Sequence, residues 1–257
     1  MKCVILAGGL GTRLSEETSI RPKPMVEIGG LPILWHIMKC YATHGVDEFI
    51  ICCGYKGYVI KEYFANYFLH VSDVTFRIDS DSPVRIHRRN SESWCVTLVD
   101  TGELTQTAGR LLRVREHLGE ENFYLTYGDG LSNVDLTLLT ETHRNNRSLV
   151  TLTAVQPPGR YGALHLNGNI VERFQEKPDG DNAWINGGFF VANPSVLEYI
   201  DGDQASWESE VLPFLAKSSR LSAYLHRGFW QPMDTLRDRN RLEELWASGA
   251  APWKCWS

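Results

Sequence analysis

Apolar residues fall into two spacings along the chain. The unbroken runs Val4-Ile5-Leu6-Ala7, Phe49-Ile50-Ile51-Cys52-Cys53 and Phe123-Tyr124-Leu125-Thr126-Tyr127 read as buried strands. Between them, apolar residues recur every three or four positions, the period of a helix with one packed face. Ile33, Leu34, Ile37, Met38 and Tyr41 form such a face, with Pro32 near the first turn and Gly45 closing the region. After Gly54 a second stripe comprises Val59, Ile60, Tyr63, Phe64, Tyr67 and Phe68. Its helical spacing makes this aromatic row core rather than a cofactor box. Strand, helix, strand, helix predicts right-handed crossovers and an α/β fold on a mostly parallel sheet.

Further along, 74–78 and 94–99 read as strands, and the polar stretch between them, with Arg85, His87, Arg88 and Arg89, as a solvated loop. A helix is expected over 111–118 and a strand over 148–155. Residues 161–166 and 170–174 flank Asn167-Gly168-Asn169, a hairpin signal. Helices over 194–200 and 207–217, a strand over 221–225 and a helix over 236–246 complete the pattern. The tail 252–257 carries Trp253 and Trp256, which predicts packing against the chain's own core or another subunit.

The chemistry concentrates where strands end. The first strand runs into Gly8-Gly9-Leu10-Gly11-Thr12-Arg13, followed by Arg21-Pro22-Lys23-Pro24. Glycines let backbone N–H groups close on phosphate oxygens, and Arg13 and Lys23 supply fixed positive charge. Neither familiar glycine motif fits: Leu14 replaces the third glycine of a dinucleotide fingerprint, and no Gly-Lys-Ser/Thr run exists. An NAD-dependent oxidoreductase is disfavoured for that reason. Pro22 and Pro24 break a long helix, so Lys23 is expected on an extended arm. A second loop, Asp100-Thr101-Gly102 through Thr107-Ala108-Gly109-Arg110, is rich in small residues. The strand ending at Tyr127 is followed by Gly128-Asp129-Gly130, an acidic residue where open α/β sheets bind ligands. Asp129 is therefore a candidate Mg2+ ligand, with a glycine-rich turn as the plainer alternative. Asp234, before the last helix, has the position of an N-cap.

Composition narrows the classes. At 257 residues and 43% hydrophobic, the chain can bury a substantial core. A net charge of −5 without a basic block argues against nucleic-acid binding. No apolar run approaches the ~18–20 residues of a membrane span, and Met1 leads directly into a strand, so no membrane partner and a cytoplasmic location are expected. The six cysteines include no C-x-x-C pair and the eight histidines no ligand spacing, which speaks against zinc.

Leu6-Ala7-Gly8-Gly9-Leu10-Gly11-Thr12-Arg13 with Arg21-Pro22-Lys23-Pro24 resembles the signature loop of sugar-1-phosphate nucleotidylyltransferases. The resemblance implies a Rossmann-like, mixed, mostly parallel sheet flanked by helices, with a sugar-binding lobe and small β-hairpin additions. It implies one domain over 1–257, with a nucleotide half (1–130) and a sugar-phosphate half with the terminal helix and tail (131–257). Leu6, Ala7, Gly8, Gly9, Gly11, Thr12, Arg13, Lys23, Thr107, Gly109, Arg110 and Gly128 would hold the nucleotide. Tyr161, Gly162, Glu176, Lys177, Asn186, Gly188 and Trp230 would meet the sugar and its phosphate. Asp129 and Asp234 would bind Mg2+, and with Arg13 and Lys23 would form the catalytic set. The stretches 126–130, 24–30 and 230–234 look most like family members that use CTP and glucose 1-phosphate to make CDP-glucose, a deoxysugar precursor for surface polysaccharides such as O-antigen. A homo-oligomer is expected. A uridylyl- or thymidylyltransferase, and a silent sugar-nucleotide sensor, are the alternatives from the same resemblance.

Overall fold

The computed structural model describes residues 1–79, 84–87, 92–157, 163–167, 170–175 and 183–256, apart from the side chains of residues 13, 15, 16, 163–167, 171 and 173–175. The strand Cys3–Leu6 forms the middle of the main sheet. Glu48–Cys53 and Phe123–Tyr127 pair with it in parallel on its two sides, and Cys95–Asp100 lies parallel beyond Glu48–Cys53. Past Phe123–Tyr127 the sheet becomes mixed. Phe190–Ala192 joins antiparallel, followed by Val150–Val155, which runs parallel with Leu221–His226 and antiparallel with Ile185–Asn186.

An unbroken apolar strand needs cover on both faces, and Cys3–Leu6 has it. Cys3 and Ile5 point into a core shared with the helix Ile33–Ala42. Val4 and Leu6 point into another, built with Ala108, Leu111 and Trp207. The parallel arrangement brings the loops after Leu6, Cys53, Asp100 and Tyr127 to one edge of the sheet. That edge carries the candidate site.

Several elements depart from the periodicity. Residues 74–78 are not a strand of the main sheet. Val74–Phe76 pairs antiparallel with Val84–Ile86 in a separate hairpin, so part of the expected solvated loop is a strand. Phe76 and Ile78 are exposed there, whereas every strand at the centre of the main sheet is covered. The expected helix over 111–118 begins earlier, as Thr107–Arg113, and continues as Arg115–Leu118. Trp207–Val211 opens as a wide π turn before the α-helix Leu212–Lys217. Lys23 is not on an extended arm: Pro22 and Val26 are extended, and Lys23–Met25 between them forms a 3₁₀ turn. The fixed φ of Pro24 suits the first turn of a helix, so two prolines shorten the element to one turn without abolishing it.

The tail lies on the chain's own core. Trp253 is fully buried, stacked against Phe229 with ring centroids 5.5 Å apart and near Trp246. Trp256 packs edge-on against Trp35. Deleting residues after Ala250 removes this cover, a loss comparable to truncating a core tryptophan at about 3–5 kcal/mol. Melting is expected to fall by roughly 5–15 °C in a thermal scan. An unchanged midpoint would reject the packing role.

Beneath the tail, His36 has no exposed surface. Its Nε2 lies 2.8 Å from the Ile28 carbonyl oxygen, and Trp253 Nε1 lies 3.4 Å from its Nδ1. A carbonyl can only accept and an indole N–H can only donate, so the neutral ring carries its proton on Nε2. Protonation would aim a second N–H at the indole N–H. Burial pulls the His36 pKa down to about 4, against the opposing effects of the Ile28 carbonyl and Glu243. The unfolded chain binds this proton near pH 6.5 and the folded chain near 4, so stability is full above 6.5 and falls as pH drops between those values. The unfolding free energy from denaturant titrations is expected to decline over that window by about 3 kcal/mol, and His36→Gln to flatten the decline.

Candidate active site

The glycine loop is fixed from below by an arginine. Arg110 is buried, and its guanidinium donates from Nη1 to Thr101 Oγ1 (2.8 Å), Gly102 O (2.7 Å) and Cys53 O (3.3 Å). From Nη2 it donates to Gly8 O (3.0 Å) and Glu103 O (3.1 Å). These acceptors belong to loops after three parallel strands, so one side chain fastens the ligand-facing edge of the sheet. A Cβ on Gly8 would fall 2.1 Å from Arg110 Nη1, which explains glycine there better than ligand approach alone.

Above it is a cavity of about 350 Å³. Leu6, Ala7, Gly8, Gly9, Gly11, Thr12, Lys23, Thr107, Arg110, Gly128 and Asp129, all candidates from the sequence, line it. Two assignments change in character. Arg110 reaches the cavity wall, but its hydrogen bonds go to the protein, making it a strut. Gly109 is not in the lining: a Cβ there would lie 2.3 Å from the Asp203 carbonyl oxygen, so its smallness admits the neighbouring loop. The side chain of Arg13, and Tyr161, Gly162, Glu176 and Lys177, lie outside the described residues.

Two acids distant in sequence meet at the mouth. The short strand Gly130–Ser132 pairs antiparallel with Trp230–Pro232, and Met233 N donates to Asp129 O at 2.8 Å. This register puts Asp234 beside Asp129. Lys23 Nζ bridges them, 2.6 Å from Asp129 Oδ2 and 2.8 Å from Asp234 Oδ1. Burial depresses the Lys23 pKa, but the two carboxylates outweigh it and leave the pKa raised, so the ammonium stays charged. Asp234 is not the helix cap. Thr235 caps Leu236–Ala247 through a capping box with Asp238, and Asp234 is not needed for that task.

This donor set suits Mg2+. Two carboxylates already converge on a cation, and both are partly exposed, which leaves room for phosphate oxygens and water. Among the described residues, no group of three or more His, Cys, Asp or Glu is gathered as an all-protein cage. Mg2+ bound with substrate phosphates needs no such cage.

Tyr127, also in the cavity lining, ties Glu208 to Asn186. Its hydroxyl donates to Glu208 Oε1 (2.7 Å), and Thr107 Oγ1 donates to Glu208 Oε2 (2.7 Å). Asn186 Nδ2 donates to the Tyr127 hydroxyl at 3.4 Å. Gly188 has φ +76, where a side chain would be strained, and a Cβ would press on the Tyr127 ring at 3.0 Å. Trp230 Nε1 donates to Gly187 O at 2.7 Å. Asn186, Gly188 and Trp230 are thus linked around Tyr127 and Gly187, next to the cavity rather than lining it. Sequence reasoning missed Tyr127, Thr105, Gln106 and Glu208. The first three adjoin motifs and could have been found there; Glu208 is in a π turn remote from any motif.

Residues 2–235 match the family model described as nucleotidyl transferase. The chain belongs to that family. The chain is 60% identical over its whole length, and the whole length of the relative, to a glucose-1-phosphate cytidylyltransferase of Salmonella typhimurium, and equally so to one from Salmonella typhi. The inositol-1-phosphate CTP transferase of T. maritima superposes with a TM-score of 0.66 over 99% of this chain and 96% of that one, at 17% identity, a likeness of fold. As a nucleotidyltransferase, the chain has its family loop at the cavity floor and its acid pair at the cavity mouth.

Proposed function

We propose that the protein transfers a cytidylyl group from CTP to glucose 1-phosphate, giving CDP-glucose and pyrophosphate. The observation that carries this reading is the meeting of Lys23, Asp129 and Asp234 at a glycine-lined cavity, in a chain 60% identical to cytidylyltransferases. A phosphate oxygen of glucose 1-phosphate attacks the α-phosphorus in line and pyrophosphate departs. The nucleophile is already anionic, so no protein base is required, and catalysis rests on positioning and charge. The backbone of 8–12 holds the triphosphate. Lys23 and Arg13 offset charge on the leaving pyrophosphate, and Lys177, with Tyr161, Gly162 and Glu176, aims the sugar phosphate. Asn186, Gly188 and Trp230 shape the sugar wall around Tyr127. Asp129 and Asp234 would hold Mg2+, which when bound would supply Lewis-acid neutralisation of the phosphate oxygens. Residues 1–130 serve the nucleotide and 131–257 the sugar phosphate.

The product fits a place in surface-polysaccharide synthesis in the cytoplasm, where CTP is found. No described helix is long and apolar enough to cross a membrane. The exposed Phe76 and Ile78 support a homo-oligomer. Light scattering is expected to give a multiple of 29.2 kDa, and a monomer would reject it.

A pyrophosphate-release panel tests the substrates. With Mg2+ and glucose 1-phosphate, CTP is expected to outpace UTP, dTTP and GTP. Faster release with UTP or dTTP would make the chain a uridylyl- or thymidylyltransferase, and tight sugar-nucleotide binding without turnover would make it a sensor.

A further inference from the structure

Cys40, in the helix Ile33–Ala42, and Cys255, in the tail, meet at the Trp253 carbonyl and Thr43. Cys40 is buried, and its Sγ donates to the Trp253 carbonyl at 3.4 Å. Cys255 N donates to the same carbonyl at 2.9 Å, a tight turn that directs the Cys255 side chain back to the helix. There its Sγ lies 3.3 Å from Thr43 Oγ1, and the same hydroxyl reaches the Cys40 carbonyl at 2.7 Å. Both thiols, with His44, line a second cavity of about 180 Å³. The other cysteines differ: Cys3, Cys52 and Cys53 are buried in strands, and Cys95 is exposed at the start of an outer strand.

We propose that Cys40 and Cys255 are a thiol–disulfide modification site, at which a low-molecular-weight disulfide such as glutathione disulfide closes a bridge that fastens the tail to the Ile33–Ala42 helix. The two thiols are chemically unequal in the way such a step needs. The neighbouring Cys40 thiol, with smaller help from Thr43 and His44, draws the exposed Cys255 thiol down towards the thiolate. The neighbouring Cys255 thiol and burial push the Cys40 thiol up, so it keeps its proton until it reacts. The Cys255 thiolate attacks one sulfur of glutathione disulfide, whose S–S bond breaks to release one glutathione thiolate. Cys40 then gives up its proton to solvent and attacks the Cys255 sulfur, expelling the second glutathione thiolate. Two protein thiols are oxidised and one disulfide is reduced to two glutathiones.

The bridge closes a chain loop from Cys40 to Cys255, spanning almost the whole protein, and holds Trp253 and Trp256 over His36 and Trp35. The full-length protein is equilibrated in glutathione buffers of increasing oxidation, alkylated, and mapped without reduction. The expected product is a Cys40–Cys255 linked peptide, formed at a poise where Cys95 is still alkylated. Its formation should raise the melting midpoint by about 5 °C or more, an increase absent in Cys255→Ser. Reduced Cys255→Ser should turn over like the wild type. Cys255→Ser is the primary variant because Cys255 is exposed; the linked peptide in wild type decides the matter even if Cys40→Ser fails to fold. A map that stops at glutathione on Cys255 with Cys40 alkylated would overturn the proposal. So would oxidation of Cys255 no easier than that of Cys95, or a bridge that leaves the midpoint unmoved.

Discussion

Replacing Lys23 with methionine should lower kcat by two to three decades, about 3–4 kcal/mol of transition-state stabilisation. Methionine keeps the apolar stem that packs in the 3₁₀ turn and removes only the charge. The same substitution should leave the Mg2+ requirement intact and lower the Mg2+ concentration for half-maximal rate. The reason is competition: the ammonium holds Asp129 Oδ2 and Asp234 Oδ1, and a metal must displace it from the oxygens it uses. Once displaced, the ammonium is free to turn to the triphosphate. Steady-state rates over a Mg2+ titration separate the two effects. Wild-type turnover in Lys23→Met would remove Lys23 from the catalytic set.

The second large effect is expected at Asp129. Asp129→Asn should cut turnover by a similar two to three decades while raising the half-saturating Mg2+ concentration, the reverse of the Lys23 result. The fold should hold, because the link that joins the two acid-bearing segments uses the backbone oxygen of residue 129, not its side chain. An unchanged melting midpoint with lost activity is therefore the signature. A variant that keeps wild-type turnover, or loses activity only by unfolding, contradicts the metal role. Opposite shifts in Mg2+ dependence at two residues in direct contact would be hard to produce by general damage.

How far the site could be read from residues depends on how local each part is. The phosphate loop is contiguous, so its glycines and Lys23 were legible, as was Asp129 at a strand end. Asp234 was ambiguous, because cap and metal ligand share the same place before a helix. The structure gives the cap to Thr235, and the pairing of Gly130–Ser132 with Trp230–Pro232 brings Asp234 beside Asp129. Arg110 was legible as a cation in a candidate loop, but its work as a strut depends on carbonyls that follow or end three strands, and no spacing reports those. Glu208 is farther from view, since its partners Tyr127 and Thr107 are remote in the chain. The fold follows the same rule. The central strands announce themselves by unbroken apolar runs. The hairpin of Val74–Phe76 with Val84–Ile86 has no such run and was misplaced as part of the sheet.

Isotope transfer tests the central claim most directly. Glucose 1-phosphate carrying ¹⁸O in its three terminal phosphate oxygens is incubated with CTP, Mg2+ and the protein, and the products are weighed by mass spectrometry. Attack by the sugar phosphate on the α-phosphorus places all the label in CDP-glucose and none in pyrophosphate. Label in pyrophosphate or free phosphate, or no CDP-glucose at all, would contradict the assignment.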